Sequence, residues 1–448
     1  MRSTRSLAMD DRAIALADCN NFFVSCERRL APELENRPVV VLSCNDGCVV
    51  SRSNEVKKLG VKMGDPYFKI RDMLAYNGVA IRSSNLRLYQ EVSAEVMSRI
   101  RLYSDVTEQY SIDEAFFNMA IASVQDPLAY CRRLRADIMS SCRIPVSIGI
   151  APTKTLAKLG TDYAKHCEET GGVFWVDRAR YADMAFMSQF ECRDVWGIGR
   201  STALKLSELG VRTAADFAKM DGLYLKRAFG VSALYTLWEL RGQQASSLAC
   251  ARRRPKSIMV SRSFGGPLRT FEELLDPVVC FTVSASKQLR AASQRAKSLC
   301  VFITTSRFAE ERYYANAKEV VFSEPACLDS VLIPAAREAL SGIFVSGYDY
   351  KKCGVTLSGF TDASAGEQTA LFSEEGAVFT KRMKAAKAID AINSECGRVV
   401  VKPAALFTPP GQEKKWAPRS EFRSGGSQGG ESPLPPGMRF QTHSEDCA

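Results

Sequence analysis

The stretch YSIDEAFFNM, residues 110–119, sets Asp113 and Glu114 side by side between Ile112 and a run of Ala115, Phe116, Phe117 and Met119. Burying an unpaired carboxylate costs roughly several kcal/mol, so any fold this chain adopts must bring these acids a counter-charge, a hydrogen-bond network or a metal ion. Adjacent residues of a regular strand point to opposite faces, and the two acids can serve one site only if the chain bends there. A third acid, Asp18 in LADCNNFF, ends an apolar run far upstream. Neighbouring strands of one sheet would bring it to the pair. Three carboxylates without a histidine form a hard oxygen site of the kind magnesium prefers. An exposed acidic hairpin tip remains the alternative from these residues alone.

Short apolar runs punctuated by turn residues frame these acids. RAIALADC and RPVVVLSC read as buried strands, NDG at 45–47 as a hairpin turn into CVVSRS, and SNEVKKLG as a short helix stopped by Gly60. A helix over NLRLYQEVSAEVMSRIRLY, a strand pair around SIDE, a helix over DPLAYCRRLRADIMSSC, the strand PVSIGIA and a helix over TKTLAKLGTDYAKHC follow. Strands interleaved with helices, hairpins among them, predict an α+β layer on a mixed sheet. Strand signals stop between about 182 and 244, where DVWGIGRSTALKLSELGVRTAADFAKM reads as helices joined by a tight GIG turn, with a further capped start at Thr213.

A basic tether, SSLACARRRPKS at 246–257, leads to IMVSRSF, a helix over 277–296, LCVFITT, EVVFS, a helix over 328–343 and KKCGVTLSGF. The element order βαββαβ is that of the ferredoxin-like arrangement, two helices covering one sheet face. Residues 403–448 hold seven of the 18 prolines and six glycines, a composition expected to be largely disordered, with Trp416 as an exception suited to anchoring on a partner.

The formal charge of the 448-residue chain is +10. Between Cys250 and Gly354 there are sixteen Lys/Arg against ten Asp/Glu, so most of the surplus falls on the tether and the βαββαβ segment, where a polyanion would bind. Fifteen cysteines without a CxxC pair and only two histidines, His166 and His443, argue for reduced thiols and against a zinc site or a His-based triad. With no long apolar run and no leader-like segment, a cytoplasmic protein is expected. Ser51, Arg52, Lys57 and Lys158 are candidates for holding phosphates near the acids. Lys154 and Lys158, four apart, are equally consistent with a solvated basic stripe.

DCNNFFVSCE, NDGCVVSRSNEVKKLGVKMGDP, YSIDEAF, IGIAPTKTLAKL, DVWGIGR and SRSFG, in this order and spacing, resemble the Y-family (translesion) DNA polymerases over roughly residues 13–400, in particular their UmuC-type members from bacterial DNA polymerase V. The resemblance implies a right-hand fold: a mixed-sheet palm (12–30 and 80–178), small fingers (31–79), a helical helix-hairpin-helix thumb (179–245), a basic tether (246–257) and a βαββαβ little finger (258–360). A clamp-binding and partner region (361–402) and the tail (403–448) would complete it.

The resemblance also implies roles. Asp18, Asp113 and Glu114, with the main-chain carbonyl of Cys19, match the ligands of two Mg²⁺ ions in a nucleotidyl transfer. Phe22, Phe23, Ser51, Asn54, Lys57 and Lys158 match nucleotide contacts, and Phe23 matches the steric gate that leaves no room for a ribose 2′-hydroxyl. Gly197 and Gly199 of GIG, with Arg252, Arg253, Arg254 and Arg262, are expected on the DNA backbone. QTALF at 368–372, through Gln368, Leu371 and Phe372, resembles a motif that docks on the β sliding clamp. Expected partners are a primed DNA template and dNTPs, a UmuD′ dimer, RecA and the clamp, in error-prone lesion bypass during the SOS response. Rival readings are a degenerate clamp-bound scaffold, which the intact acids oppose, and a nucleotidyl cyclase, which would not need the thumb or the basic little finger.

Overall fold

The computed structural model describes residues 12–120, 126–248, 255–306, 312–362, 374–396, 399–404, 416 and 421–424. Strand β1 (Arg12–Cys19) and helix α1 (Phe22–Leu30) come first, followed by β2 (Val39–Leu42), β3 (Val49–Arg52), α2 (Asn54–Lys58), α3 (Tyr67–Tyr76) and β4 (Ala80–Ser83). The chain continues through α4 (Leu86–Leu102), β5 (Thr107–Gln109), β6 (Glu114–Ala120), α5 (Pro127–Cys142), β7 (Val146–Ala151), α6 (Lys154–His166) and β8 (Val173–Trp175).

Five of these strands, all from the segments expected as the palm, form one sheet, ordered β5-β6-β1-β7-β8, with β1 antiparallel to both neighbours and β7 parallel to β8. Strand parity divides its two faces. Ala13, Ala15, Ala17 and Cys19 of β1 pack into the core formed with α1, α4 and α5, whereas Ile14 and Leu16 pack into the core under α6 and the helical domain. Asp18 shares the parity of Ile14 and Leu16 and therefore faces α6. Gly149 of β7 lets the helix come close: a Cβ there would lie 2.2 Å from Ala157 O and 2.3 Å from Thr161 N.

The fingers are a small sheet ordered β3-β2-β4, with β2 and β3 an antiparallel pair joined across NDG and β2 parallel to β4. Val40, Leu42, Val49, Val56, Val61, Leu74 and Val79 form their core.

Short helix α7 (Arg178–Ala182) leads to the thumb helices α8 (Arg200–Glu208), α9 (Ala214–Lys219), α10 (Gly222–Phe229) and α11 (Val231–Leu240). Helix α9 starts on a capping box in which Thr213 and Asp216 each accept from the other's backbone N–H. The thumb is fastened to the palm by Glu239 of α11, whose carboxylate accepts from the N–H groups of Thr155, Ala245 and Ser246, each at 3.0 Å.

The little finger runs β9 (Ser257–Leu268), α12 (Phe271–Ala291), β10 (Gln294–Thr305), β11 (Ala315–Ala326), α13 (Asp329–Ser341) and β12 (Tyr350–Asp362). Its element order is βαββαβ, but the ferredoxin-like arrangement does not hold. The sheet order β11-β10-β12-β9 puts the second and fourth strands in the middle, and all three pairings are antiparallel. A ferredoxin-like sheet would place the first and third strands there. Helix α12 also starts earlier than 277: Thr270 and Glu273 close a capping box, and Pro277 lies inside the helix.

Helix α14 (Glu374–Glu395) docks on the little finger. Buried Arg290 of α12 reaches Asp390 through Nε (2.8 Å) and Nη2 (2.9 Å) and Asp329 through Nη1 (3.0 Å). Two points in the segment expected to be disordered are held by the folded body. Trp416 is buried in the little-finger core, edge-on to Phe281, and donates to Asp276 Oδ2 at 2.6 Å. Phe422 packs edge-on to Tyr67 of the fingers, and its backbone exchanges hydrogen bonds with Ser83 at the edge of β4. Trp416 thus anchors within its own chain. No helix among the described residues is long and apolar enough to cross a membrane.

Candidate active site

The bend that the two acids require is present. Strand β6 begins at Glu114, and Asp113 closes the loop from β5. Tyr110 and Ser111 donate backbone N–H bonds to Glu114 O, while the Ser111 hydroxyl accepts from the N–H of Asp113 and Glu114 and donates to Asp113 Oδ1. Cys19 N–H donates to Asp113 O at 2.9 Å, tying this loop to the end of β1. Asp18 and Glu114 are register partners across β1 and β6, so both side chains emerge on the α6 face.

Helix α6 lays a row of lysines over them. Lys154, Lys158 and Lys165, spaced four and seven apart, share one side of the helix. Lys154 Nζ is 2.7 Å from Glu108 Oε2, Lys158 Nζ 3.2 Å from Glu114 Oε1 and Lys165 Nζ 2.7 Å from Asp18 Oδ2. This stripe faces inward, against acids of three strands, so the solvated alternative for Lys154 and Lys158 fails.

Burial first, then the neighbouring Asp18 carboxylate, raises the pKa of Asp113 against the pull of Ser111 and Lys165. Burial pushes Glu114 up to about 7, opposed by Lys158 and assisted by Asp18 and Asp113. At Lys165 burial works against the charge, yet Asp18 and Asp113 outweigh it and the pKa is raised.

A cleft of about 340 Å³ opens beside these groups, its lining combining the acids Asp18 and Asp113 and the cations Arg52, Lys57 and Lys165 with Cys19, Ser51, Phe22 and Phe23. Burial, then Arg52 and Lys165, lowers the pKa of Lys57, and Arg52 Nε is buried without a hydrogen-bond partner. Such crowded positive charge fits a polyphosphate.

Two expected nucleotide contacts lie elsewhere. Lys158 is occupied with Glu114 and sits over the rings of Tyr110 (4.5 Å) and Trp196 (5.3 Å). Asn54 is exposed and accepts from Asn21 Nδ2 at 3.0 Å, Asn21 being the residue that touches the cleft. Lys165 was missed from the sequence, although its spacing from Lys158 places it on the same helix side two turns on.

Among the described residues no three His, Cys, Asp or Glu side chains stand close enough to hold one ion together. Asp18 and Glu114 lean on their lysines instead. The donor set nevertheless suits a hard cation: Asp113, half of a repelling pair with Asp18, is neutralised only partly by Lys165. Of the expected DNA contacts, Gly197 adopts φ +95° with a Cβ position 2.6 Å from Thr236 Oγ1, and Gly199 caps α8. Arg262 lies over the Trp416 ring at 5.9 Å. Arg252, Arg253, Arg254, Gln368, Leu371 and Phe372 lie outside the described residues.

Residues 17–162 match the impB/mucB/samB family and residues 255–371 that family's C-terminal domain. UmuC of Salmonella typhimurium (strain LT2) is 35% identical over 92% of this chain and 96% of its own length. The chain belongs to the impB/mucB/samB family. Members of this family are Y-family DNA polymerases, and the chain is a UmuC-like one, with the metal-dependent catalytic site that the fold implies. Solved structures agree in fold: a Y-family polymerase chimera of Dbh and Dpo4 has a TM-score of 0.64 at 20% identity, covering 78% of this chain and 99% of the chimera. An insertion ternary complex of Dbh DNA polymerase has a TM-score of 0.52, again at 20% identity, with 78% and 99% covered. The impB/mucB/samB match takes in all three acids, Lys165 lying just past the end of its first segment.

Proposed function

We propose that the chain is the catalytic subunit of a polymerase V-like assembly that copies damaged templates during the SOS response. One observation carries this reading: a cleft of about 340 Å³ whose lining combines the Asp18 and Asp113 carboxylates with the cations Arg52, Lys57 and Lys165. A nucleoside triphosphate carries the charge to match these cations, and the acids are where a reacting primer end would be held. Asp18, Asp113, Glu114 and the Cys19 carbonyl are the residues that would hold two Mg²⁺ ions. When bound, these ions supply charge neutralisation and a lowered pKa for the attacking hydroxyl.

Arg52, Lys57 and Lys165 take the triphosphate, Lys165 in place of Lys158. Lys158, its ammonium over the rings of Tyr110 and Trp196, holds Glu114 in position. Phe23 closes the cleft under the sugar. Primed template and dNTP are bound together, which the insertion ternary complex of Dbh supports by analogy of fold. Arg252, Arg253, Arg254, Arg262 and the Gly197–Gly199 turn grip the DNA backbone without reading sequence. Gln368, Leu371 and Phe372 dock on the β sliding clamp, and a UmuD′ dimer and RecA complete the assembly, in line with the likeness to UmuC.

Primer extension on intact and lesion-bearing templates, with and without UmuD′ and RecA, tests the proposal. Extension that requires Mg²⁺ and disappears in Asp113→Ala is expected. Failure to add any dNTP in every combination, with Asp113→Ala indistinguishable, overturns it.

A further inference from the structure

Phe23 does not stand alone at the cleft. Its ring is stacked on that of Tyr89 with centroids 4.4 Å apart and planes 14° from parallel. Tyr89 comes from α4 and is fully buried, so the back of the Phe23 ring meets a second flat ring rather than solvent or a flexible aliphatic chain. The Tyr89 hydroxyl donates to Glu27 Oε1 at 2.6 Å, and Glu27 is itself fully buried. Phe23 and Glu27 lie one turn apart on the same side of α1. Tyr89 is therefore held to α1 at two points: its ring against Phe23, its oxygen against Glu27.

A bare apolar core has no use for Glu27. Burial raises the pKa of this acid, and a leucine would fill the space without that penalty. Its nearest partner is the hydroxyl that fixes where the Tyr89 ring lies, with Ser424 and the Arg82 charge also favouring its ionised form. A close-packed interior transmits such a constraint, because a ring stacked at contact distance can neither tilt back nor slide.

We propose that Tyr89 is a positioning residue for sugar selection: its ring, pinned by Glu27, keeps Phe23 forward in the cleft so that a ribose 2′-hydroxyl is excluded. The inference rests on the assignment of Phe23 as the gate. Without Tyr89 the Phe23 ring gains a void behind it, and the wall can retreat by the small distance that a hydroxyl group needs.

The test is the ratio of kcat/KM for dATP to that for ATP, measured by single-nucleotide incorporation with the full chain in the assembly that extends primers. A ratio cancels any loss of folded enzyme, since both substrates meet the same active fraction. Tyr89→Ala is expected to lower it roughly tenfold or more, with dATP incorporation itself changed less. Tyr89→Leu, which keeps most of the buried volume but offers no flat face, is expected to follow and stands in if the alanine variant does not fold. Tyr89→Phe keeps the stack but loses the hydroxyl that Glu27 holds, so its ratio is expected to fall between those of the parent and Tyr89→Ala, and an unchanged ratio there overturns the pinning by Glu27. Phe23→Ala should lower the ratio most, and adding Tyr89→Ala to it should lower it no further.

An unchanged ratio in Tyr89→Ala or Tyr89→Leu beside a collapsed one in Phe23→Ala overturns the role of Tyr89 alone. An unchanged ratio in Phe23→Ala overturns the gate and its support together. A Tyr89→Phe ratio as low as that of Tyr89→Ala overturns the assignment of the support to the ring.

Discussion

Lys165 on α6 and Asp18 on β1, both lining the cleft, form an ion pair at 2.7 Å. The contact follows from the parity of β1, which sends Asp18 toward α6, and from Gly149, which lets α6 approach. The Lys165 ammonium pairs with the Asp18 carboxylate and also adds to the positive charge that Lys57 feels.

Removing that cation alters both. Lys165→Ala is expected to raise the KM for dNTP by about tenfold or more while leaving the fold intact. It should also steepen the dependence of activity on Mg²⁺, because the Asp18 and Asp113 charges then lack their protein counter-ion. Steady-state kinetics across a Mg²⁺ series measure both effects. Lys158→Ala, by contrast, should lower kcat more than it raises KM.

Gly149→Ala places a methyl group within 2.2 Å of Ala157 O, a backbone atom that cannot move without its helix. A cost of about 3 kcal/mol or more is expected, since overpacking against backbone exceeds ordinary core overpacking. Thermal denaturation should show a fall in Tm, and any folded remainder should lose nucleotide affinity as the lysine row shifts.

Arg290 is buried and its fork satisfies Asp390 and Asp329. Arg290→Ala should cost about 3–5 kcal/mol by leaving partly buried carboxylates unpaired. Arg290→Lys should not restore the loss, because one ammonium cannot reproduce the two-point contact to Asp390. Hydrogen exchange across 374–396 is the readout, with faster exchange expected as α14 undocks.

In the thumb, hydrogen bonds from the backbone and side chain of Thr213 hold the Asp216 carboxyl below its usual pKa. A depressed carboxylate contributes stability that is present above its unfolded pKa and is lost as pH falls through the folded one. Asp216→Ala should therefore destabilise the thumb by about 1 kcal/mol at neutral pH and by less at pH about 3, below the ordinary aspartate pKa. Denaturant unfolding at the two pH values separates the cases.

Much of the site could be read from residues alone because local constraints were strong. Two acids inside YSIDEAFFNM demanded a bend and a counter-charge, and the Ser111 turn and α6 lysines supply them. What residues could not tell was which way the α6 stripe faces, since spacing fixes a side of a helix but not its neighbour. Lys158 was thus expected on phosphate and Lys165 was overlooked. The first little-finger helix was expected from 277, whereas the Thr270–Glu273 box, whose N-cap lies seven residues before Pro277, was the stronger start signal. The order of strands within the little-finger sheet is set by which edges meet in three dimensions, information absent from the order of elements along the chain. Trp416 sits in a segment too polar to form a core, yet the core it joins belongs to another part of the chain.

That last contact has a mechanical consequence. Trp416 is rooted in the little finger and Phe422 in the fingers, with only five residues of chain between them. Six consecutive Cα steps reach at most about 21 Å. While both aromatic anchors stay seated, the fingers and little finger are on a short leash, and spreading them wider requires first pulling an aromatic ring out of its socket.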